Sequence, residues 1–427
     1  MNRSLALVVI AVLAALPALV LRALGAHADH GQRVIAWPGG ALSGPWAALV
    51  FGVGVLAGAF LVSWAAELMQ LELSQSFAMA LIALLAVLPE YTVDIYLAYT
   101  AATIPENAPL ALANMTGANR LLIGIGWPMV AIALYMTTKR REVTLESARQ
   151  GELFFLALAT GYSFAMVFKS TLSLWDTLIF LVLFALYARF VMRQEVVEPE
   201  LEGPAAAIAR LAPVPRRIAT GILFTVAGLT LLAAAEPFAE GLKFTGTNLG
   251  VSEFLLIQWI APLASEAPEF LIVMIFALRG QATAGFGALV SSKVNQWTLL
   301  VGMVPLAYAL GLHNAGQPLA PLHLDPRQLG EVLLTAAQSA LAVLIVIDRR
   351  FRTKEAYLLA GLFLAQLAVS IGIESASPLD VRERLFAIEK GAFTATYLVL
   401  ALIMAIRHRR DLVGVARFVW NEERRRP

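Results

Sequence analysis

Long apolar runs set the terms for this chain. Segments of roughly 20 residues, the length a helix needs to cross about 30 Å of hydrocarbon, recur from end to end. They read as twelve, at about 4–26, 46–69, 76–100, 108–137, 152–168, 172–192, 217–235, 248–277, 282–311, 328–347, 356–373 and 387–406. In lipid every backbone N–H and C=O must find its partner within the protein, which leaves helices or a closed barrel. A barrel would show short segments of alternating polarity, and these runs do not alternate. Composition agrees. Of the 427 residues, 59% are hydrophobic and 15% charged, against about 25% charged in a soluble domain. An ordinary soluble enzyme and a disordered chain are both excluded.

Net charge is only +2, from 32 basic and 30 acidic residues, so no nucleic-acid partner is expected. There is no cysteine, hence no disulfide, thiolate metal site or cysteine nucleophile. The five histidines, His27, His30, His313, His323 and His408, fall outside the apolar runs. That argues against an intramembrane zinc enzyme of the His-Glu-x-x-His kind. No resident cofactor and no enzymatic activity are expected, and the surroundings are the lipid bilayer.

Basic residues give the orientation. Lys139, Arg140, Arg141 and Arg149 follow span four, and Arg193, Arg210, Arg216 and Arg217 follow or flank span six. Arg349, Arg350, Arg352 and Lys354 follow span ten, and Arg407, Arg409, Arg410 and Arg424 to Arg426 follow span twelve. Twelve spans put all four clusters on one side, which is then cytoplasmic, with both termini inside a cytoplasmic (inner) membrane. The connection from Gln317 to Pro326 is correspondingly poor in Lys and Arg. The first segment reads as an uncleaved helix, with signal-peptide cleavage near Ala26-His27-Ala28 as the alternative.

Gln194 to Pro215, with Glu195, Glu198, Glu200 and Glu202, reads as a linker between two hydrophobic halves that resemble each other. The first half carries Leu88-Pro89-Glu90 and the second Ala267-Pro268-Glu269, each Pro-Glu well inside a span. Each is followed by a polar stretch on the next span: Asn114 to Arg120, then Ser291 to Gln296. The two glutamates recur at nearly the same offset as Asn119 and Asn295, so the repeat holds with a small slip. Five spans per repeat, an odd number, make the second repeat inverted, which is a pattern of secondary transporters. The expected fold is an all-α polytopic membrane protein of about 12 transmembrane helices: two inverted five-helix repeats plus one extra helix at each end. Its expected divisions are an N-terminal helix and loop (1–45), the first half (46–193), the linker (194–216), the second half (217–374) and a last helix with a basic tail (375–427).

Four carboxylates lie inside the matching spans. Glu90 and Asp94 share one helical face at i,i+4, and Glu266 and Glu269 share another at i,i+3. A charge at mid-membrane costs about 2.5–3.5 kcal/mol on insertion scales, so these four call for partners, water or a bound cation. The plain alternative is structural ion pairing, which weighs most for Asp94 and Glu266. Pro89 and Pro268 each free the carbonyl four residues earlier, at Leu85 and Ala264, and free carbonyls beside a carboxylate suit a hard cation. Asn114, Thr116, Asn119, Ser291, Ser292, Asn295 and Gln296 offer neutral oxygens; singly, each reads as an interhelical hydrogen bond. Arg120 and Lys293 fall on the polar helices. They either pair with the acids or act as tethered cations. Pairing suits Arg120, which stays charged, and both readings stand for Lys293. Glu67, Glu236, Glu240 and Glu253 sit near span ends, where a wet interface explains them.

This pattern resembles the calcium/cation antiporter superfamily, and the sodium/calcium exchanger family in particular. In that family a Gly-Thr-Ser-x-Pro-Glu element is followed by a Gly-Ser-Asn-like step. Leu88-Pro89-Glu90 and Ala267-Pro268-Glu269 match the Pro-Glu core, Gly117-Ala118-Asn119 resembles the Gly-Ser-Asn step, and Ser291 to Gln296 matches more loosely. The likeness covers about residues 46–374. It implies secondary antiport of calcium against sodium or protons, with Glu90 and Glu269 as central cation ligands. Asn119, Asn295, Ser265, Ser291 and Ser292 would complete the ligand shell, and Asp94, Glu266, Arg120 and Lys293 would couple protons or balance charge. Ala86-Val87 stands where the family has hydroxyls, Glu266 is an addition, and Lys293 falls where neutral or acidic groups belong. These departures leave a sodium/proton antiporter as the alternative. An intramembrane lipid enzyme, a channel and a scaffold are the rivals from other classes; the spans hold no His or Cys for the first.

Overall fold

The computed structural model describes residues 3–69, 71, 88–146, 149–193, 201 and 203–425. Helix α1 (Arg3–Ala23) leads into strands β1 (His27–Asp29), β2 (Val34–Trp37) and β3 (Gly40–Ser43), then α2 (Gly44–Met69) and α3 (Leu88–Thr100). Next come α4 (Asn107–Leu121), a π turn (Leu122–Gly126), α5 (Trp127–Thr138), β4 (Glu142–Thr144), α6 (Gln150–Lys169), β5 (Thr171–Leu172) and α7 (Leu174–Met192). The second half runs through α8 (Gly203–Ala209), α9 (Pro213–Leu249), α10 (Glu253–Leu278), α11 (Ala282–Asn295), a second π turn (Gln296–Leu300) and α12 (Val301–Asn314). It ends with β6 (Leu322–His323), α13 (Pro326–Val346), β7 (Arg350–Arg352), α14 (Thr353–Ala376), α15 (Leu379–Arg407) and α16 (Arg409–Arg425).

The chain is a helical, multi-pass membrane protein. Ten stretches among the described residues are helices long and apolar enough to cross a bilayer. The first part of the expected span 76–100, with the Leu85 carbonyl and Ala86-Val87, lies outside the described residues, as does Gln194–Glu200 of the expected linker. Large apolar side chains point outward along α1 (Leu7, Ile10, Leu13, Val20) and α15 (Ile388, Val399, Leu402, Ile406), as lipid requires and water would not tolerate on this scale.

Three connections differ from their expected form. Residues 27–43, read as loop, form an antiparallel sheet in the order β1-β2-β3. The linker contains α8, whose Ala205 and Ile208 pack into an apolar cluster with Leu61, Trp64, Leu68 and Leu223. Span 217–235 belongs to a 37-residue helix, α9. Glu236 and Glu240 look like a span end in the sequence, but the helix runs on through them, paired with Arg22 and Lys243. It stops at Gly250, whose φ of +66° caps it in the left-handed region.

The chain forms two compact units, Met1–Thr100 with Ala188–Glu269, and Ala101–Tyr187 with Phe270–Pro427. Each draws on both sequence halves. In the first unit α2 packs along α9, with α1, α3 and α8 around the pair. The crossing is close enough to need glycine on both sides. A Cβ at Gly44 would sit 2.5 Å from the Thr245 backbone nitrogen, and one at Gly241 2.7 Å from that of Ala48.

In the second unit α13 is central, packed against α4, α6 and α15. Two-stranded pairings tie its connections together. β4 pairs with β7 (Val143 opposite Phe351), and β5 with β6 (Leu172 opposite Leu322). The basic residues Lys139, Arg140, Arg141, Arg349, Arg350, Arg352 and Lys354 therefore lie at one end of this unit. Residues 170–173 and 322–325 lie at the other, a 20-residue helix (α6) or about 30 Å away.

Candidate functional site

In the first unit, the Pro-Glu element of the first repeat lies on α3, where Glu90 and Asp94 project one turn apart. Both are buried, at 4% and 1% exposure. Pro262 and Pro268 lie inside α10. Around them Ser265 and Glu266 are buried and Glu269 half-buried. The Ser265 hydroxyl donates to the Pro262 carbonyl at 3.1 Å, leaving its oxygen lone pairs able to accept or ligate.

The Glu90 carboxyl lies within electrostatic reach of both Glu269 and Asp94. One glutamate from each half of the sequence thus belongs to the same unit. Glu90 Oε2 is fully buried and has no hydrogen-bond partner among the described residues. A buried carboxylate oxygen in that condition costs several kcal/mol unless a proton or a cation takes it up. No group of three or more His, Asp or Glu side chains converges as a metal cage among the described residues. A cation held by Glu90 and Glu269 therefore needs neutral oxygens to complete its shell.

Glu240, read from the sequence as an interfacial acid, is fully buried. It accepts from Tyr96 Oη at 3.1 Å and pairs with Lys243 Nζ at 3.0 Å, with His30 Nδ1 at 3.7 Å. Nearby, Glu236 pairs with Arg22 at 2.9 Å and accepts from the Ala28 N–H. The hairpin sheet and α1 are thereby fastened to α9.

In the second unit the polar helices of the two repeats have the same form: a helix, a π turn, then a second helix. The π turns begin at Leu122 and Gln296, close to the offset that relates the two glutamates. Each inserts a residue into the helical ladder and turns the following side chains to a new face, a feature frequent at functional sites. Asn119 and Lys293 meet here, both with 0% exposure. Lys293 Nζ donates to Asn119 Oδ1 at 2.6 Å and to the Asn119 carbonyl at 3.1 Å. It also stands 4.5 Å above the Trp297 ring. Asn119 Nδ2 donates to the Met115 carbonyl at 2.9 Å, which fixes which end of the amide faces the lysine. Asn295 is buried and Ser292 half-buried on the same stretch of α11.

Ser291 is placed beside a guanidinium. It accepts from Arg149 Nη1 at 2.9 Å, and Arg149 in turn pairs with Glu152 at 2.6 Å. The Glu152 carboxylate holds Arg149 above its ordinary value. Arg120, expected to balance the acids of the repeats, makes its ion pair with Glu331 on α13, at 2.7 Å. Lys390 of α15 binds the other oxygen of Glu331 at 2.8 Å. Arg120 also donates to Gln366 of α14 at 3.1 Å, and Gln366 donates to Glu389 at 2.7 Å. All five side chains are buried. Sequence reasoning missed Glu331, Gln366, Glu389 and Lys390. The two acids and the lysine lie close to the beginnings of their apolar runs, where interfacial charges are ordinary, and only the ion-pair distances separate the two cases.

The family described as sodium/calcium exchanger protein matches residues 43–193 and again residues 220–372. A crystal structure of the H+/Ca2+ exchanger CAX superposes with a TM-score of 0.85 at 39% identity, covering 98% of each chain. The sodium-calcium exchanger NCX_Mj, soaked with 100 mM Na+ and 10 mM Sr2+, matches at 16% identity, with a TM-score of 0.51 over 76% of this chain and 96% of its own. That is a likeness of fold alone. A search of curated proteins finds no match.

Proposed function

Since this chain belongs to the sodium/calcium exchanger protein family, we propose that it is a secondary active cation antiporter that exchanges calcium for protons by alternating access. Glu90 and Glu269 carry the negative charge that holds the cation. The observation that carries this reading is the buried Glu90 oxygen that has no hydrogen-bond partner among the described residues, with Glu269 of the other repeat in the same unit and within electrostatic reach. Two carboxylates balance one divalent ion and can be left neutral by two protons, so the same pair can serve both substrates in turn. Asp94 and Glu266 are proposed as proton carriers beside them. Ser265, Asn119, Asn295, Ser291 and Ser292 are proposed as the neutral oxygen donors. The 39% identity to an H+/Ca2+ exchanger supports protons over sodium as the counter-ion, and does not favour the sodium/proton alternative.

A cytoplasmic (inner) membrane location with both termini inside is the arrangement that places the joined basic ends of the second unit in the cytoplasm.

The test is flux in proteoliposomes. Purified protein, reconstituted with a pH dye inside, should take up external calcium when a proton gradient is imposed, with protons moving the opposite way. Glu269→Gln and Glu90→Gln should each abolish uptake while the protein still elutes as a folded species. Wild-type-like calcium flux in Glu269→Gln would remove the central assignment. Proton movement driven by sodium with no calcium uptake would replace calcium as the substrate.

A further inference from the structure

Two of the neutral oxygens proposed as cation ligands are held by the protein's own cations: Asn119 by Lys293, and Ser291 by Arg149. The Lys293 contact is the more telling. Its ammonium grips a side-chain amide oxygen and the carbonyl of the same residue, at 2.6 and 3.1 Å, which is the pair of hard oxygens a metal cation would use. The arrangement is held from both sides. Asn119 cannot turn its amide without losing its bond to Met115. Lys293 lies against Trp297, one turn further along its own helix, at cation–π distance.

We propose that Lys293 is a specificity-determining residue, a tethered monovalent cation that occupies Asn119 until a divalent ion displaces it. This rests on the reading of Asn119 as a ligand. The physical reason is a comparison of charges. A sodium ion brings the same unit charge as the ammonium it would replace, and must also shed its water, so it gains little by the exchange. A calcium ion brings twice the charge to the same oxygens, and displaces the ammonium. The lysine stem is a flexible four-carbon chain, so a change of rotamer parts the ammonium from Asn119. The device therefore lowers affinity for every cation but lowers it most for monovalent ones. That also keeps calcium from binding too tightly to be released.

The experiment compares full-length wild-type protein with K293M, K293Q and K293R in proteoliposomes. It measures the calcium concentration for half-maximal uptake, with and without external sodium. K293M, which keeps the length and loses the charge, should lower that concentration about tenfold and make sodium a competitor of calcium. K293Q, which keeps a donor toward Asn119 but no charge, should do the same, and it carries the test if K293M fails to fold. K293R should retain the wild-type pattern. In the K293M/N119A double variant the gain should disappear, because the oxygen in dispute is gone. Uptake by K293M and K293Q with wild-type calcium dependence and no sodium competition would overturn the proposal. A wild-type protein that takes up no calcium would overturn the exchange reading instead, and sodium binding by K293M stronger than by wild type would still decide the role of the lysine.

Discussion

At the scale of single residues, the charges inside the spans fall into two kinds. Glu331 is locked between Arg120 at 2.7 Å and Lys390 at 2.8 Å. Glu90, by contrast, keeps a buried oxygen with no hydrogen-bond partner among the described residues. The first kind is structural; the second is the one proposed above to take up a substrate. Removing one member of a buried ionic cluster leaves the others uncompensated, at a cost of roughly 3–5 kcal/mol. Glu331→Gln should therefore lower the thermal unfolding midpoint sharply in detergent. Glu90→Gln should leave it unchanged or raise it, since it relieves a buried charge. A stable Glu331→Gln variant would mean that the cluster is not what fastens α15 to α13. Sequence alone singles out Glu90, Asp94, Glu266 and Glu269 and passes over Glu331. Their spacing shows a shared helical face, but the partner of each is chosen across the fold, as Arg120 of α4 shows by pairing with Glu331 of α13.

Among elements, the crossing of α2 and α9 is the firmest contact of the first unit, and glycine makes it possible. A side chain at Gly44 would run into the backbone at Thr245 and Phe244, with Cβ distances of 2.5 and 2.6 Å. Backbone on both sides cannot give way as a flexible side chain would, so Gly44→Val has to part the helices. Overpacking of this kind costs about 1–3 kcal/mol or more, and the variant should show a lower midpoint and reduced yield in the membrane fraction. A midpoint equal to the wild type's would show that α2 has room to shift. The apolar runs mark both helices plainly. They do not mark where α9 ends, because Glu236 and Glu240 carry the signal of an interface while lying on a continuing helix. The π turns leave no mark in the sequence either: Leu122–Gly126 and Gln296–Leu300 share little, and only their matching positions relate them.

For the whole molecule, the pairing of β4 with β7 and of β5 with β6 gives the second unit two distinct ends. The proposed orientation, from the positive-inside rule, puts the β4–β7 end, with its basic segments, in the cytoplasm. Since the chain has no cysteine, single-cysteine labelling reads this directly. Arg140→Cys and Arg350→Cys should react with an impermeant maleimide only in inverted vesicles, and Leu319→Cys only in intact cells. Labelling of Arg140→Cys and Leu319→Cys from the same side would overturn the span assignment between them.

The sequence by itself determined the solvent of the protein, the helical class and the repeat, and it singled out the Pro-Glu elements, because each depends on local properties: length of apolar runs, period, and a charge that lipid does not tolerate without a reason. It also placed Asn119 and Lys293 on matching helices. What only the tertiary structure decided is which charge meets which. Lys293 finds Asn119, Ser291 faces Arg149, Arg120 is taken by Glu331, and Glu90 comes within reach of Glu269. Each of these pairings joins one residue from the first half of the sequence to one from the second. Coulomb energy depends on separation in space and on the dielectric around it, and neither is written in the order of the chain.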